Sequence, residues 1–174
     1  MRFLKLALIS AVLIFLLITG ISLLLPSQTI ISRAIDINAS ADSVYPYISN
    51  LANWRYWYAD YNSANAVISP SHAGKTSVLA LNKTKVFITH LLPGKVQVVW
   101  QTGENNPVSG EFNIIRKDPA RSTTVQWQFT QKVSWYPWQK FASIMTGKII
   151  GPSMEKSLEN LKMQAEAEAL KKPN

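Results

Sequence analysis

The sequence predicts an α+β fold in which a seven-stranded antiparallel sheet wraps around a long C-terminal helix, with a transmembrane helix at the N-terminus. Three observations support this prediction. Residues 6–25 include no charged side chain. Residues 29–38 and 64–133 form short runs in which apolar and polar residues alternate, which is typical of half-buried strands. Residues 141–169 change to a helical period, and an amphipathic helix that follows many strands needs a sheet on which to bury its apolar face.

The composition limits the classes of function. The chain has 174 residues, of which 47% are hydrophobic, so one domain can bury a full core and leave a short extra segment. It has no cysteine, which excludes disulfides, thiolate catalysis and cysteine-ligated metal sites. The net charge of +8 is scattered rather than gathered in one stripe, so we expect a solvated basic surface and no nucleic-acid partner. Attraction to anionic lipid is the alternative.

The N-terminal segment predicts a membrane anchor. Leu6–Leu25 is long enough, at about 1.5 Å per residue, to span a hydrocarbon core of about 30 Å. Arg2 and Lys5 precede it and favour a cytoplasmic N-terminus. A cleaved signal peptide is the alternative, but its apolar region is typically only about 7–15 residues and ends in a small-x-small site, which Leu23–Pro26 does not provide.

We therefore divide the chain into an anchor with a short linker, residues 1–28, and a folded domain, residues 29–170. Pro26, Ser27 and Gln28 alone separate the apolar segment from the first predicted strand. Three extended residues reach about 10 Å, so the domain is expected to lie against the bilayer surface.

The predicted elements of the domain follow from periodicity and turn residues. A strand over 29–38 precedes a helix that Ser40 caps, and a second short helix covers 51–58. Short turns then join six further strands, which indicates an antiparallel meander; these are predicted at 65–69, 75–81, 84–91, 95–101, 108–117 and 123–133.

The last third of the chain predicts the long helix. Its apolar face recurs at spacings of three and four residues, at Ile150, Met154, Leu158, Leu161 and Ala165. A proline inside a helix lacks a hydrogen-bond donor and crowds the preceding turn, so a kink is expected at Pro152.

Three stretches of this chain resemble the START-related, or SRPBCC, superfamily of polyketide cyclase/dehydrase-like proteins. The first stretch, residues 32–45, is a strand followed by Val44-Tyr45. The second, residues 51–57, contains a leucine and two tryptophans. The third, residues 151–162, begins with a glycine and ends in the pattern L-x-x-L-K. A membrane-anchored bacterial subgroup, whose anchor ends in Leu-Pro, is the most similar. The resemblance implies a helix-grip fold with a cavity between sheet and helix, and a location on the outer face of the bacterial cytoplasmic membrane. It implies binding of hydrophobic ligands, while some superfamily members are enzymes; no catalytic motif carries over.

The candidate ligand site is the space between the sheet and the long helix. Large apolar side chains are predicted to line it: Trp100, Phe112, Trp127, Phe129, Phe141 and Met145. The alternative is that they fill a solid core. Glu111 lies in the middle of a strand, so its carboxylate is a further candidate for the cavity, with a solvent-facing position as the alternative.

Ionisable side chains give little support for catalysis. His72 and His90 have no metal-ligand spacing to another histidine or carboxylate, and Asp60, Glu104 and Asp118 are isolated in the sequence. The sequence therefore predicts no catalytic residue, no metal site and no cofactor.

Two aromatic clusters occupy connections, at residues 54–58 and 135–138. They are expected to dock the short helices and seal the fold, or alternatively to lie at the membrane interface, where amphipathic rings are enriched.

Together these observations predict a membrane-anchored domain that binds a lipid or another hydrophobic small molecule. Two alternatives remain. An enzyme acting on such a molecule needs at least two convergent polar side chains inside the cavity. A protein-interaction domain with a filled core predicts an exposed apolar patch instead.

Overall fold

The computed structural model describes residues 2–61, 66–68, 77–104, 107–118 and 122–171. His72 lies outside these ranges. The elements, in chain order, are α1 (Arg2–Leu24), β1 (Gln28–Ile37), α2 (Ala41–Ser49), a 3₁₀ helix (Leu51–Tyr56), β2 (Ala66–Ile68), β3 (Val78–Leu81), β4 (Thr84–Leu92), β5 (Lys95–Thr102), β6 (Val108–Asp118), β7 (Ser122–Lys132) and α3 (Pro137–Lys171).

The strands form one antiparallel sheet with the order β1-β7-β6-β5-β4-β3-β2. Consecutive strands from β2 to β7 are neighbours, and β1 completes the sheet by pairing with β7. The tight turn between β4 and β5 holds Gly94 at φ +72°, a conformation that glycine adopts without the steric cost of a Cβ atom. The predicted seven-stranded sheet is confirmed.

Alternation along the strands separates an inner face from an outer face. In β5, Val96, Val98 and Trp100 are buried, whereas Gln97 and Val99 lie on the opposite face. The buried side chains of the central strands point toward α2, the 3₁₀ helix and α3, so the core lies on this inner face.

The two short helices cover one end of the inner face. Ser40 caps α2 as predicted, because its Oγ accepts a hydrogen bond from the Ser43 backbone at 3.2 Å. Trp54 and Trp57 are buried, and their indole nitrogens donate to the backbone carbonyls of Ile48 at 3.0 Å and Tyr47 at 2.8 Å. The first aromatic cluster therefore docks the short helices onto the core.

The second half of α3 packs against the core. Met154, Leu158, Leu161 and Ala165 are buried against the core, as the helical period predicts. Helical structure continues through Pro152 without an interruption.

Gly151 gives the long helix a close approach to β1. A Cβ atom there would lie 2.6 Å from the guanidinium nitrogen Nη2 of Arg33. The same guanidinium bonds Glu155 one turn later, with Nε and Oε1 2.5 Å apart. The glycine thus makes room for a side chain that crosses from the sheet edge to the helix.

The apolar helix α1 is long and apolar enough, by length and composition, to cross a membrane. Within Arg2–Leu24, all of which the structure describes, Ser22 alone is buried. Its hydroxyl donates to the Trp135 carbonyl at 3.3 Å, so the last turn of α1 contacts the segment that leads into α3.

Candidate functional site

Four of the predicted site residues meet in an aromatic cluster beneath the sheet. Trp127 is central, with its ring 4.9 Å from that of Phe112, 5.1 Å from Phe129 and 5.9 Å from Trp100. The buried rings of Trp54 and Trp57 from the 3₁₀ segment pack on the same group. Side chains thus fill the middle of the interior, and space for a ligand lies at its end.

Gly110 on β6 sets the position of Trp100. A Cβ atom at this glycine would lie 2.3 Å from Cζ3 of the Trp100 indole, which is far inside van der Waals contact. Because the glycine has no side chain, the indole can lie directly over the neighbouring strand. Trp100 then closes the aromatic cluster on one side and faces open space on the other.

This open space is a groove of about 430 Å³ between the sheet and the first half of α3. We call it the helix groove. Its sheet side is formed by the ends of β5, β6 and β7, and its helix side by α3; the lining residues are Trp100, Thr102, Val108, Gln131, Lys132, Val133, Gln139, Ala142, Ser143 and Thr146.

The groove exists because the inner face of α3 changes along its length. In the second half of the helix, Met154 and Leu158 reach the sheet and fill the space. In the first half of the helix, the groove is lined by Gln139, Ala142, Ser143 and Thr146. The small side chains of Ala142 and Ser143 leave a gap between helix and sheet.

The groove has a mixed lining that fits a molecule with an apolar body and a polar end. Trp100, Val108 and Val133 supply apolar surface. Lys132 lies at the rim, is exposed, and takes part in none of the ion pairs found between described residues. A free ammonium group beside apolar walls is suited to an anionic head group.

The remaining predicted site residues lie elsewhere. Phe141 and Met145 are exposed on the outward face of α3, because the helix turns them away from the sheet. Their size suggested them as lining residues, whereas the helical phase of Met154 and Leu158 points to Ser143, which does line the groove. That phase is the sequence signal that could have identified the groove.

Glu111 lies on the outer face of the sheet and not in the groove. Its carboxylate forms a salt bridge with Lys95 at 2.9 Å and accepts hydrogen bonds from Gln97 and Asn113, both at 3.1 Å. The Lys95 contact is the main cause that lowers the pKa of Glu111 below its usual value, against a smaller opposing effect of burial. The residue therefore stabilises the pairing of β5 and β6.

Other ionisable residues are dispersed. His90 is exposed on β4, and Asp60 accepts a hydrogen bond from Ser153 at 2.9 Å. Among the residues that the structure describes, no group of three histidines, aspartates or glutamates could hold a metal ion. Lys132 is the one ionisable side chain among the described residues that line the helix groove.

A second hollow of about 400 Å³ lies between α2 and the turn that joins β4 to β5. Tyr45, Leu91 and Ile114 line it, and the ion pair of Arg116 with Asp42, at 2.8 Å, lies at its edge. It is remote from α1, whereas Val133 of the helix groove bonds through its backbone N–H to the Ser27 carbonyl at 2.9 Å, three residues after α1 ends. Of these two hollows, the helix groove is therefore the one nearer to α1. A third hollow, of about 350 Å³, lies between Leu25 and Pro26 of the linker and the first half of α3.

Comparison with solved structures shows the same fold in proteins of low sequence identity. A START superfamily protein from Mycobacterium smegmatis is 14% identical with a TM-score of 0.57, covering 80% of this chain and 98% of that one. A protein from Nitrosospira multiformis is 12% identical with a TM-score of 0.60; the match covers 80% of this chain and 97% of that protein. Norcoclaurine synthase of Thalictrum flavum, solved with a transition-state analogue, is 13% identical with a TM-score of 0.60. The match covers 79% of this chain and 94% of the synthase. No curated protein matches the sequence significantly.

A family model described as polyketide cyclase/dehydrase and lipid transport matches residues 28–166. The matched region runs from the start of β1 to near the end of α3 and so includes the whole sheet and every residue of the helix groove. These matches confirm the resemblance to the START-related superfamily. The chain belongs to the polyketide cyclase/dehydrase and lipid transport family.

Proposed function

We propose that this chain is a membrane-anchored binding domain that holds a lipid or another hydrophobic small molecule in the helix groove. The observation that carries the proposal is the groove itself, which lies between α3 and the sheet and one of whose lining residues, Val133, bonds Ser27 in the linker after α1. Its volume of about 430 Å³ falls within the roughly 300–1,000 Å³ of small-molecule sites. The family description, which includes lipid transport, supports the same class of ligand.

Binding in this groove would rest on burial of an apolar body. The indole of Trp100 and the aliphatic walls at Val108 and Val133 would remove apolar ligand surface from water. Hydroxyl and amide groups at Thr102, Gln131 and Gln139 would orient the polar end. With Lys132 as the one ionisable group of the described lining, we propose binding and not acid–base catalysis.

The proposed anchor is α1, and the contacts at its end support a domain held close to the bilayer. The ammonium group of Lys140, which is 3% exposed, donates to the Leu25 carbonyl at 2.6 Å and contacts the Ser27 hydroxyl at 3.1 Å. This side chain comes from α3 and closes on the residues that directly follow α1. These hydrogen bonds hold the domain next to the end of the apolar helix. A lipid would therefore have a short path from the bilayer to the groove.

The test compares the lipids that remain with the purified full-length chain after extraction in mild detergent. We expect one class of amphiphile to be enriched over the bulk membrane lipids. Ser143→Trp places a large ring in the groove and should remove that enrichment. Met163→Trp, at an exposed position of the same helix, is the matched control and should retain it. Equal lipid profiles for the two variants would contradict the proposal.

A further inference from the structure

The outward face of the first half of α3 is a continuous apolar stripe. Trp138, Phe141, Met145 and Ile149 are spaced by three, four and four residues, which places them on one side of the helix. Their exposed fractions are 62%, 43%, 49% and 73%. We call these four residues the outer stripe. A surface helix in water normally presents polar side chains on this side, so the stripe is unexplained by the folded domain alone.

The same side of α3 becomes charged after Pro152. Lys156 and Glu159 continue the line of the outer stripe, and both are exposed. Met163 follows on the same line as an exposed apolar residue, so the outer face of the second half is mixed and carries no continuous apolar stripe. Because the change from a continuous apolar stripe to a mixed face occurs within one unbroken helix, the two halves are suited to different surroundings.

The outer stripe begins beside the end of α1. Trp135, three residues before Trp138, accepts a hydrogen bond from Ser22 in the last turn of α1. Lys140, inside the same turn of α3 as Trp138, bonds Leu25. If α1 crosses the bilayer, the start of the stripe lies at the level where the chain leaves the hydrocarbon core.

The chain segment that carries the outer stripe has charges of one sign. Between Asp118 and Glu155 the sequence contains no acidic residue, but it contains Lys132 and Lys148, both of which are exposed. Lys148 is exposed on the flank of the stripe. Lysine ammonium groups beside exposed apolar and aromatic side chains match an anionic lipid surface, where the apolar groups enter the head-group region and the lysines remain among the phosphates.

We infer that the outer stripe lies in the head-group region of the bilayer, on the side where α1 ends. This inference rests on the proposed anchoring by α1. The partner is an anionic lipid surface. The half-helix that carries the stripe also forms one wall of the helix groove, so immersion of the stripe brings that groove to the lipid surface.

The test uses the absence of native cysteine, because a single introduced cysteine becomes a unique attachment point for a fluorescent label. Phe141→Cys and Met145→Cys report on the outer stripe. Glu159→Cys is the matched control, since it lies 18 residues after Phe141, about five helical turns, and points in the same direction. Each labelled full-length chain is reconstituted into vesicles of phosphatidylethanolamine and phosphatidylglycerol.

We expect nitroxide-bearing lipids to quench the label at 141 and 145 several-fold more strongly than the label at 159, and dissolved iodide to show the reverse order. Equal access of iodide to all three labels would overturn the inference. A label at 141 that neither quencher reaches would also overturn it, because the stripe would then be covered by protein. Flotation of the vesicles after an alkaline wash tests the anchor separately. A chain that floats with a water-exposed stripe refutes only this inference, whereas a chain that does not float refutes the anchor and the inference together.

Discussion

Gly110 shows how one missing side chain shapes the site. The indole of Trp100 occupies the position that a Cβ atom would crowd, and it separates the aromatic cluster from the helix groove. The outcome is a core that is filled in the middle and open at one end. The identity of this single residue therefore bears on the stability of the domain and on the proposed binding.

Gly110→Ala is expected to destabilise the domain by about 1–3 kcal/mol, because either the indole or the strand must move. Gly147→Ala is the control with the opposite expectation. Its Cβ atom would meet Ile31 at an ordinary 3.9 Å, and alanine stabilises a helix interior by up to about 1 kcal/mol over glycine. Thermal unfolding of the full-length chain in detergent, followed by tryptophan fluorescence, measures both. A Gly110→Ala variant that melts with or above the wild type would show that Trp100 is free to move.

At the scale of elements, the two halves of α3 differ in structure. The second half buries Met154, Leu158 and Leu161 and completes the core. The first half borders a groove, carries an apolar stripe on its outer side and bonds the end of α1 through Lys140. The proposed ligand site and the proposed membrane-facing surface thus lie on the same four turns of the helix, about a quarter of a turn apart.

Lys140→Met should loosen the junction between α1 and β1. The variant keeps most of the buried side-chain volume but leaves the Leu25 carbonyl without its donor, which costs about 1–3 kcal/mol of local stability. Hydrogen exchange of the backbone amides at residues 27–31 measures this, and we expect faster exchange there with little change in β5 and β6. The exposed residue Lys156 supplies the control, Lys156→Met. Equal exchange in both variants would mean that the Lys140 contact contributes nothing to the junction.

The sequence predicted the sheet and the long helix well, because alternation and helical period depend on local patterns that survive folding. Val96, Val98 and Trp100 face the core as their alternation requires, and Met154 and Leu158 do so by helical period. The site was predicted less well. The groove depends on which residues are small at the helix–sheet contact, such as Ser143, and Phe141 drew attention only by its size. The side of the sheet on which Glu111 lies depends on strand register in the same way.

At the scale of the whole molecule, the features on which the proposals of lipid binding and anchoring rest lie at one end. The end of α1, the outer stripe and the helix groove share the segment from Ser22 to Ser27 and the first half of α3. The far end of α3 is instead polar, with the Tyr47 hydroxyl donating to Glu168 at 2.6 Å; burial and this bond raise the pKa of Tyr47 to about 12. The end of the domain near the proposed membrane is thus apolar and basic, whereas the opposite end carries a side-chain hydrogen bond between Tyr47 and Glu168.

The most direct test of the central claim is native mass spectrometry of the wild-type full-length chain, released from mild detergent micelles. We expect a protein ion that carries one reproducible extra mass, which collisional activation releases and identifies as a lipid or another hydrophobic molecule. A chain that is observed only without ligand, and that remains so after incubation with a total membrane lipid extract, would rule out the proposed binding.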